Sequence, residues 1–454
     1  MDSEQIVIDR SLPDRISDLP NNIITDCILD RIPIHDVVAT SILSKGWRHK
    51  WRTIPNLVFD TDFFHRVSEA RKLRGVGNAR LKLKYSNIIG KIMLLHLGPI
   101  HKFVLHVPYV WNRLPPDLSS WMVFVSQNEI KELTIEARNE WMVGVPSYVF
   151  QCNELRHLKL HLHELDLHPP QDFRGFCNLL SLDLSGILCG GESEISNLVS
   201  KCTLLERLSL DCTGCTHPVV IDAPRLLFLH AHFNANAFLK LKNVCSLTAI
   251  SLQFSISCRL NLCDLFDVFG SVPKVETVTL RPLQYIKAMP QDAPTSFPTT
   301  LHNHTSLTLL KIDILSPQCI YFVLCILKSS PNLQKLNLEI VSLETTVEDE
   351  AALALHLLEM ETRETQTLNS LLIIKMKGIL GSKVGIMFIK MILSISPVLK
   401  TMYLAEKHRY CLGNDYAAEF TLLKELLKCP RWLCRDQVKV NYSKYPGDSS
   451  IFDF

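Results

Sequence analysis

The chain has 454 residues, of which 47% are hydrophobic and 21% charged, and its formal net charge is +2. That is enough apolar material for a buried core, which argues against wholesale disorder, and too little charge bias to imply a nucleic-acid or membrane-surface partner. The 15 cysteines are odd in number and scattered through apolar patterns, as expected of reduced cytosolic or nuclear thiols that pack as small hydrophobes.

The opening MDSEQIVIDR has no apolar h-region, so no secretory signal is expected. No uncharged apolar run of about 18 residues predicts a membrane span. The first predicted elements lie between Leu19 and Trp51. Pro20 suits a helix start, where its missing N–H is no loss. Ile23, Ile24, Cys27 and Ile28 then form one apolar face, and Pro33 closes the helix at Ile32. A short second helix carries Asp36, Val37 and Val38. A third is predicted over "ATSILSKGWRHKWRTIP", with Leu43, Trp47 and Trp51 at i, i+4 and i+8 as one bulky stripe. A segment of ~35 residues rarely folds alone. It is either a cap for the rest of the chain or a module that completes its core on another protein, and its richness in aliphatics and tryptophan favours a partner.

These residues resemble an F-box. Leu19-Pro20, Ile28-Leu29, Ile32-Pro33, Asp36-Val37-Val38, Ser41, Leu43-Ser44, Trp47-Arg48 and Trp51 fall where that pattern places them. The resemblance implies docking on the Skp-type adaptor of an SCF ubiquitin ligase, and through it on a cullin and a RING subunit. The implied adaptor-binding residues are Leu19, Pro20, Ile23, Ile24, Ile28, Leu29, Ile32, Pro33, Val37, Leu43, Ser44, Trp47 and Trp51. Ala39 and Gly46 depart from the pattern, since plant members often carry a basic residue at each. Inside a third helix Gly46 would also cost ~1 kcal/mol relative to Ala.

A connecting helical segment at 57–97 carries a basic run, Arg66, Arg71, Lys72, Arg74, Arg80, Lys82 and Lys84, read as a solvated face. From residue 98 one template recurs: apolar, any two, apolar, any one, apolar. It reads IHKFVL from Ile100, IKELTI from Ile130, LRHLKL from Leu155, LLSLDL from Leu179, LERLSL from Leu205 and LLFLHA from Leu226. It continues as LTAISL from Leu247, VETVTL from Val275, LTLLKI from Leu307, LQKLNL from Leu333, LNSLLI from Leu368 and LKTMYL from Leu399, and IPNLVF from Ile54 is a leading copy. This is the leucine-rich-repeat signature, whose units bury their apolar faces only by stacking.

Near the end, "VEDEAALALHLLEM" is predicted as a helix, and "LGSKVGIMFIKMILSISPVLKTMYL" as a helix leading into a strand. "YAAEFTLLKELLKCPRWL" comes next as an amphipathic helix, with Phe420, Leu423 and Leu427 on one face, and "VKVNY" as a terminal strand. "SISPVLKTM" and "ELLKCPR" resemble the FBD region that closes many plant F-box/LRR proteins, and "LLHLGPIHKFVL" is similar to that family's first repeat. The expected fold is therefore α/β: a helical F-box at 11–56, the connecting segment at 57–97, a repeat solenoid with a parallel sheet on its concave face at 98–365, and an α+β FBD-like cap at 366–454.

If the template anchors point inward, alternate residues face out. The candidate target-binding residues are His157, Lys159, His161, Phe228, His230, His232, Arg281 and Tyr403. Leu309, Leu372 and Ile374 are expected to make the last part of that face apolar. The outward rows carry both signs of charge, so no single-sign funnel is indicated. "CTGCTH" offers Cys212, Cys215 and His217, but a structural zinc needs a second ligand pair. No acid, base and nucleophile converge, so neither catalytic residues nor a cofactor nor a metal is expected. The resemblance implies a non-catalytic substrate receptor for an unknown protein target, in the cytoplasm, the nucleus or both. A repeat scaffold without ligase activity and a small-molecule co-receptor are the alternatives.

Overall fold

The computed structural model describes residues 16, 19–69, 78–111, 114–137, 143–144, 146–187, 194–212, 217–233, 239–255, 262–282, 300–341, 348–361, 367–379, 382–406 and 439–443. The chain divides into two compact units, residues 1–179 and 180–454.

The first unit opens with the helical segment. A turn of π-helix at Ile23–Ile28 passes into a 3-10 turn at Leu29–Arg31, and α1 runs from Ile34 to Ala39. The predicted third helix is not continuous. A 3-10 turn at Thr40–Ile42 gives way to turns over 43–49, and a second 3-10 turn spans Lys50–Thr53. Thr40, Ser41, Ile42 and Ser44 are weak helix formers and Gly46 a weaker one, so packing decides the backbone here. Gly46 therefore carries no helix-interior penalty. A Cβ on it would meet only Ser44 Oγ, at 3.7 Å, so a basic side chain fits there.

Four parallel strands come next, in the order β1 (Asn56–Phe59), β2 (Lys102–Val107), β3 (Glu132–Ala137) and β5 (His157–Asp166), with a short β4 (Val143–Gly144) beside the end of β5. Leu57 pairs with Phe103 and Phe59 with Leu105, so the leading copy is in phase with the first repeat. Helices α2 (Thr61–Glu69) and α3 (Asn78–Leu95) stand between β1 and β2, and α4 (Leu118–Ser126) between β2 and β3. Arg66 lies on α2, and Arg80, Lys82 and Lys84 lie on α3, whereas Arg71, Lys72 and Arg74 fall outside the described residues.

The second unit builds one parallel sheet from β6 (Ser181–Ile187), β7 (Arg207–Cys212), β9 (Phe228–Phe233), β11 (Ala249–Phe254), β12 (Thr277–Arg281), β13 (Ser306–Asp313), β14 (Lys335–Val341), β15 (Ile373–Ile379), β16 (Thr401–Glu406) and β17 (Lys439–Ser443), paired in that order. On the return path of successive repeats lie α5 (Glu194–Ser200), a separate parallel pair of β8 (Val219–Asp222) and β10 (Leu239–Lys242), α6 (Leu262–Gly270), α7 (Pro317–Lys328), α8 (Glu348–Glu361) and α9 (Lys383–Ile395). The amphipathic segment with Phe420, Leu423 and Leu427 lies outside the described residues.

Anchors at template positions 1, 4 and 6 are buried in repeat after repeat: Leu205, Leu208 and Leu210, then Val275, Val278 and Leu280. Each such side chain contributes about 1.5–3 kcal/mol when removed from water. Two predicted frames are wrong by three residues. Leu307 pairs with Val278 and Leu336, both position-4 anchors, so that repeat begins at His304. Ile374 likewise pairs with Leu336 and Met402, so its repeat begins at Leu371. Both segments hold surplus aliphatics (LTLLKI and LNSLLIIKM), so the template fits in two frames and only pairing to the neighbouring strand chooses. In the corrected frames, Lys311 and Gly378 both occupy position 8, as Gly186 does in the repeat from Leu179. All three have positive φ, at 56°, 85° and 76°, and each sits at a one-residue bulge of its strand.

Candidate functional site

Two surfaces carry the predicted site residues. On the front segment of the first unit, Ile24, Leu29, Ile34, Val37, Trp47 and Trp51 are buried within the chain's own core. Polar ties fix the segment. Asn56 Nδ2 donates to Asp30 Oδ2 at 2.7 Å, and Lys50 Nζ donates to Asn21 Oδ1 at 2.9 Å while lying 5.5 Å from the Trp47 ring centroid. The Leu97 N–H donates to the Arg52 carbonyl at 2.8 Å. Gly98 is required there, because a Cβ would lie 2.9 Å from the Thr53 backbone.

That packing splits the predicted docking set. Ile24, Leu29, Val37, Trp47 and Trp51 face inward and hold the surface in shape. Leu19, Ile23 and Ile32 stay 36–38% exposed, and Leu43 is 66% exposed. The Leu43, Trp47, Trp51 stripe is thus divided, with the tryptophans inside and the leucine outside, because no continuous helix holds them in line. Pro20, Pro33 and Ser44 are exposed and Ile28 is half-buried. Ile42, at 85% exposed, belongs to the apolar set but was missed by the i, i+4, i+8 count. Its signal was the adjacency Ile42-Leu43 between two serines.

The second surface is the outward side of the strands. In the first unit, His157, Lys159 and His161 share the outward face of β5, as predicted from alternation. Lys159 Nζ, however, pairs with Glu136 Oε1 at 2.8 Å, and Lys102 Nζ pairs with Glu132 Oε2 at 2.9 Å. Burial pushes the Glu136 carboxyl up, but the Lys159 hydrogen bond and the charges of Lys159, His161 and His106 outweigh it and hold the group below its ordinary value. This column is a ladder of opposite charges across strands, not a free cationic patch.

In the second unit, Phe228, His230 and His232 share the outward face of β9, and Arg281 lies two strands away on β12. His232 Nδ1 lies 2.9 Å from Asp211 Oδ1, His230 Nδ1 lies 3.1 Å from Ser251 Oγ, and the Arg207 guanidinium sits 5.3 Å from the centroid of the exposed Phe228 ring. Burial, then the Arg281 and His232 charges, hold His230 below its ordinary value. Tyr403 is four strands beyond Arg281, between Lys375 and Asn441, and does not join that cluster. The expected apolar patch is not formed by Leu309 and Ile374. Both are fully buried anchors; Thr308 beside Leu309 is itself buried and accepts from Asn337 Nδ2, Leu310 is buried at the bulge, and Lys375 and Lys377 are half-buried on β15.

Burial pushes the thiols of Cys152, Cys212 and Cys319 up to about 12, so none is a thiolate near neutrality. Cys215 falls outside the described residues, and among the described residues no three His, Cys, Asp or Glu side chains are grouped to hold a metal ion. No described helix is long and apolar enough to cross a membrane.

Comparison with known proteins fits this architecture. Residues 118–338 match the family described as FBD-associated F-box protein At5g56370, LRR repeats. The chain is 32% identical to the F-box/FBD/LRR-repeat protein At1g13570 of Arabidopsis thaliana over 439 residues, covering 94% of this chain and 98% of that one. It is 34% identical to the F-box/FBD/LRR-repeat protein At3g52680 of the same plant over 43% of this chain and 40% of that one. It is also 23% identical to the F-box/FBD/LRR-repeat protein At5g22660, again from Arabidopsis thaliana, over 74% of this chain and 79% of that one.

Proposed function

The chain belongs to the F-box/FBD/LRR-repeat family of plant proteins, and on that premise we propose that it is the substrate-recognition subunit of an SCF-type ubiquitin ligase. The front segment docks on a Skp-type adaptor, and the outward faces of the repeat strands hold a target protein. Its contribution to ubiquitin transfer is proximity and orientation, supplied without a catalytic residue of its own.

The observation that carries this reading is the exposed apolar set Leu19, Ile23, Ile32, Ile42 and Leu43 on a segment whose Ile24, Leu29, Ile34, Val37, Trp47 and Trp51 are packed. Exposed aliphatics grouped on one short segment are a protein-docking signature. The test is calorimetric titration of the full chain, and of a Leu43→Glu variant, with a purified Skp-type adaptor. Wild-type binding at micromolar or tighter Kd is expected. The variant should bind at least tenfold more weakly, a loss of about 1.4 kcal/mol, with its own Tm unchanged because Leu43 faces solvent. A folded wild type that does not bind the adaptor would leave a repeat scaffold in place of a ligase subunit.

A further inference from the structure

We propose that the open cavity bounded by α1, the Lys50–Thr53 turn, α2 and α3 in the first unit binds a long-chain aliphatic carboxylate. The cavity measures about 700 Å³. That is within the size range of small-molecule sites, which are mostly apolar with a few well-placed polar groups. Its walls are built by Val38, Trp51, Phe63 and Ile92, residues that would normally close a core around themselves.

The shape comes from α3. Lys84, Ile88, Lys91, Ile92 and Leu95 all line the space, at i, i+4, i+7, i+8 and i+11 along one face of the helix. The groove therefore runs about 16 Å along the helix axis, the length of an extended dodecyl chain. A flat or compact ligand would leave one end empty.

The charge comes from the rim. Arg66, Lys84 and Lys91 line the cavity, and among the described residues no Asp or Glu does. Lys84 Nζ is occupied by the Val67 carbonyl at 2.6 Å, and Arg66 is shared with His35 and Asp36. Among the described residues Lys91 has no ion pair, so it is the cation open to a carboxylate. His35 adds a second polar group: its Nδ1 is buried without a hydrogen-bond partner. A buried ring nitrogen of this kind carries a desolvation penalty that a polar ligand atom would relieve. An apolar trough about a dodecyl chain long, with cations and an unsatisfied imidazole nitrogen along its lining, matches an aliphatic chain with one carboxylate. Such a ligand would tie α1 to α3 and so stiffen the front segment. Filling the trough requires no adaptor, so ligand binding and adaptor docking succeed or fail separately.

The experiment uses the full chain, with dodecanoate and 1-dodecanol as probes below the concentration at which the acid forms micelles. Titration calorimetry and thermal unfolding are read together. Dodecanoate is expected to bind at micromolar Kd and to raise Tm, and the neutral alcohol to bind at least tenfold more weakly. Lys91→Glu, an exposed change that leaves the fold alone, should weaken dodecanoate at least tenfold without altering dodecanol binding. Val38→Trp, which fills the trough, should abolish binding of both. The proposal is overturned if wild type does not bind dodecanoate, if acid and alcohol bind alike, or if Lys91→Glu binds the acid as wild type does.

Discussion

His304 is a polar residue in a position that repeats elsewhere fill with leucine or another aliphatic, the first anchor of its repeat. It is fully buried; Nδ1 lies 2.7 Å from Ser330 Oγ and Nε2 lies 3.0 Å from the Ser306 carbonyl oxygen. Nε2–H donates to the Ser306 carbonyl, while the one hydrogen of the Ser330 hydroxyl faces two acceptors, His304 Nδ1 and the Ile326 carbonyl oxygen. Burial holds its pKa down at about 4, against an ordinary value of 6.5, although the Ser306 hydrogen bond opposes the shift. Between those two values the unfolded chain binds a proton that the folded chain refuses. The stability His304 preserves is therefore complete above pH 6.5 and is lost as pH falls toward 4. A His304→Leu variant should remove this dependence. From pH 7 to pH 5 the wild type should lose about 2 kcal/mol more than the variant, as read by urea unfolding at the two pH values. Parallel pH profiles for the two proteins would show that His304 is already charged in the fold or never neutral-selective.

At the scale of elements, the strands fix which aliphatics matter. In β15 and the turn before it, Leu371, Leu372, Ile373 and Ile374 are chemically alike, yet Ile374 pairs with Leu336 and Met402 and is fully buried, while Leu372 is only half-buried. Ile374→Ala should cost about 2–5 kcal/mol through the cavity it leaves, and Leu372→Ala less than about 1.5 kcal/mol. Denaturant unfolding of the two variants measures both, and a reversed order would restore the frame that starts at Leu368. Bulges add a second signature. Gly378 takes a positive φ in β15, and a Cβ there would collide with the Ile340 carbonyl oxygen. Lys311 occupies the equivalent place in β13 at some backbone strain. Helix starts are set more locally: Ser316 and Ser382 cap α7 and α9 by accepting from the Cys319 and Gly385 N–H groups, and Pro317 stands at the first position of α7.

Across the whole molecule, cohesion comes from parallel stacking within each unit, without covalent staples among the described residues. Cys152, Cys202, Cys212, Cys319 and Cys325 are buried, where they act as small apolar fillers beside the anchors. Adding a thiol reductant to the full chain should leave its Tm unchanged. Removal of a structural disulfide would instead take away about 2–5 kcal/mol, and a drop of that size would reveal a bridge. Stability in such a fold is a sum over units and their neighbours, so each out-of-phase repeat must still present a strand to the one beside it. Repeats that begin at His304 and Leu371 do so by keeping register at positions 4 and 6.

The sequence by itself determined the class of fold. Its recurring apolar spacing fixed parallel strands at nearly every expected place, because a six-residue template read against a neighbour of the same spacing has few other solutions. It also marked the front segment as holding more aliphatics than so short a stretch can bury, and Leu19, Ile23, Ile32 and Leu43 do stay exposed. Only the tertiary structure decided frames and faces. LTLLKI and LNSLLIIKM fit the template two ways, and pairing to Val278, Leu336 and Met402 chose between them. The stripe of Leu43, Trp47 and Trp51 assumed a helix that Gly46 and its weak helix-forming neighbours do not sustain, so the tryptophans turned inward and Ile42 outward. The pairing of Lys159 with Glu136 and the cavity along α3 were likewise beyond the sequence. Both depend on side chains brought together from separate elements, and local spacing carries no information about such distances.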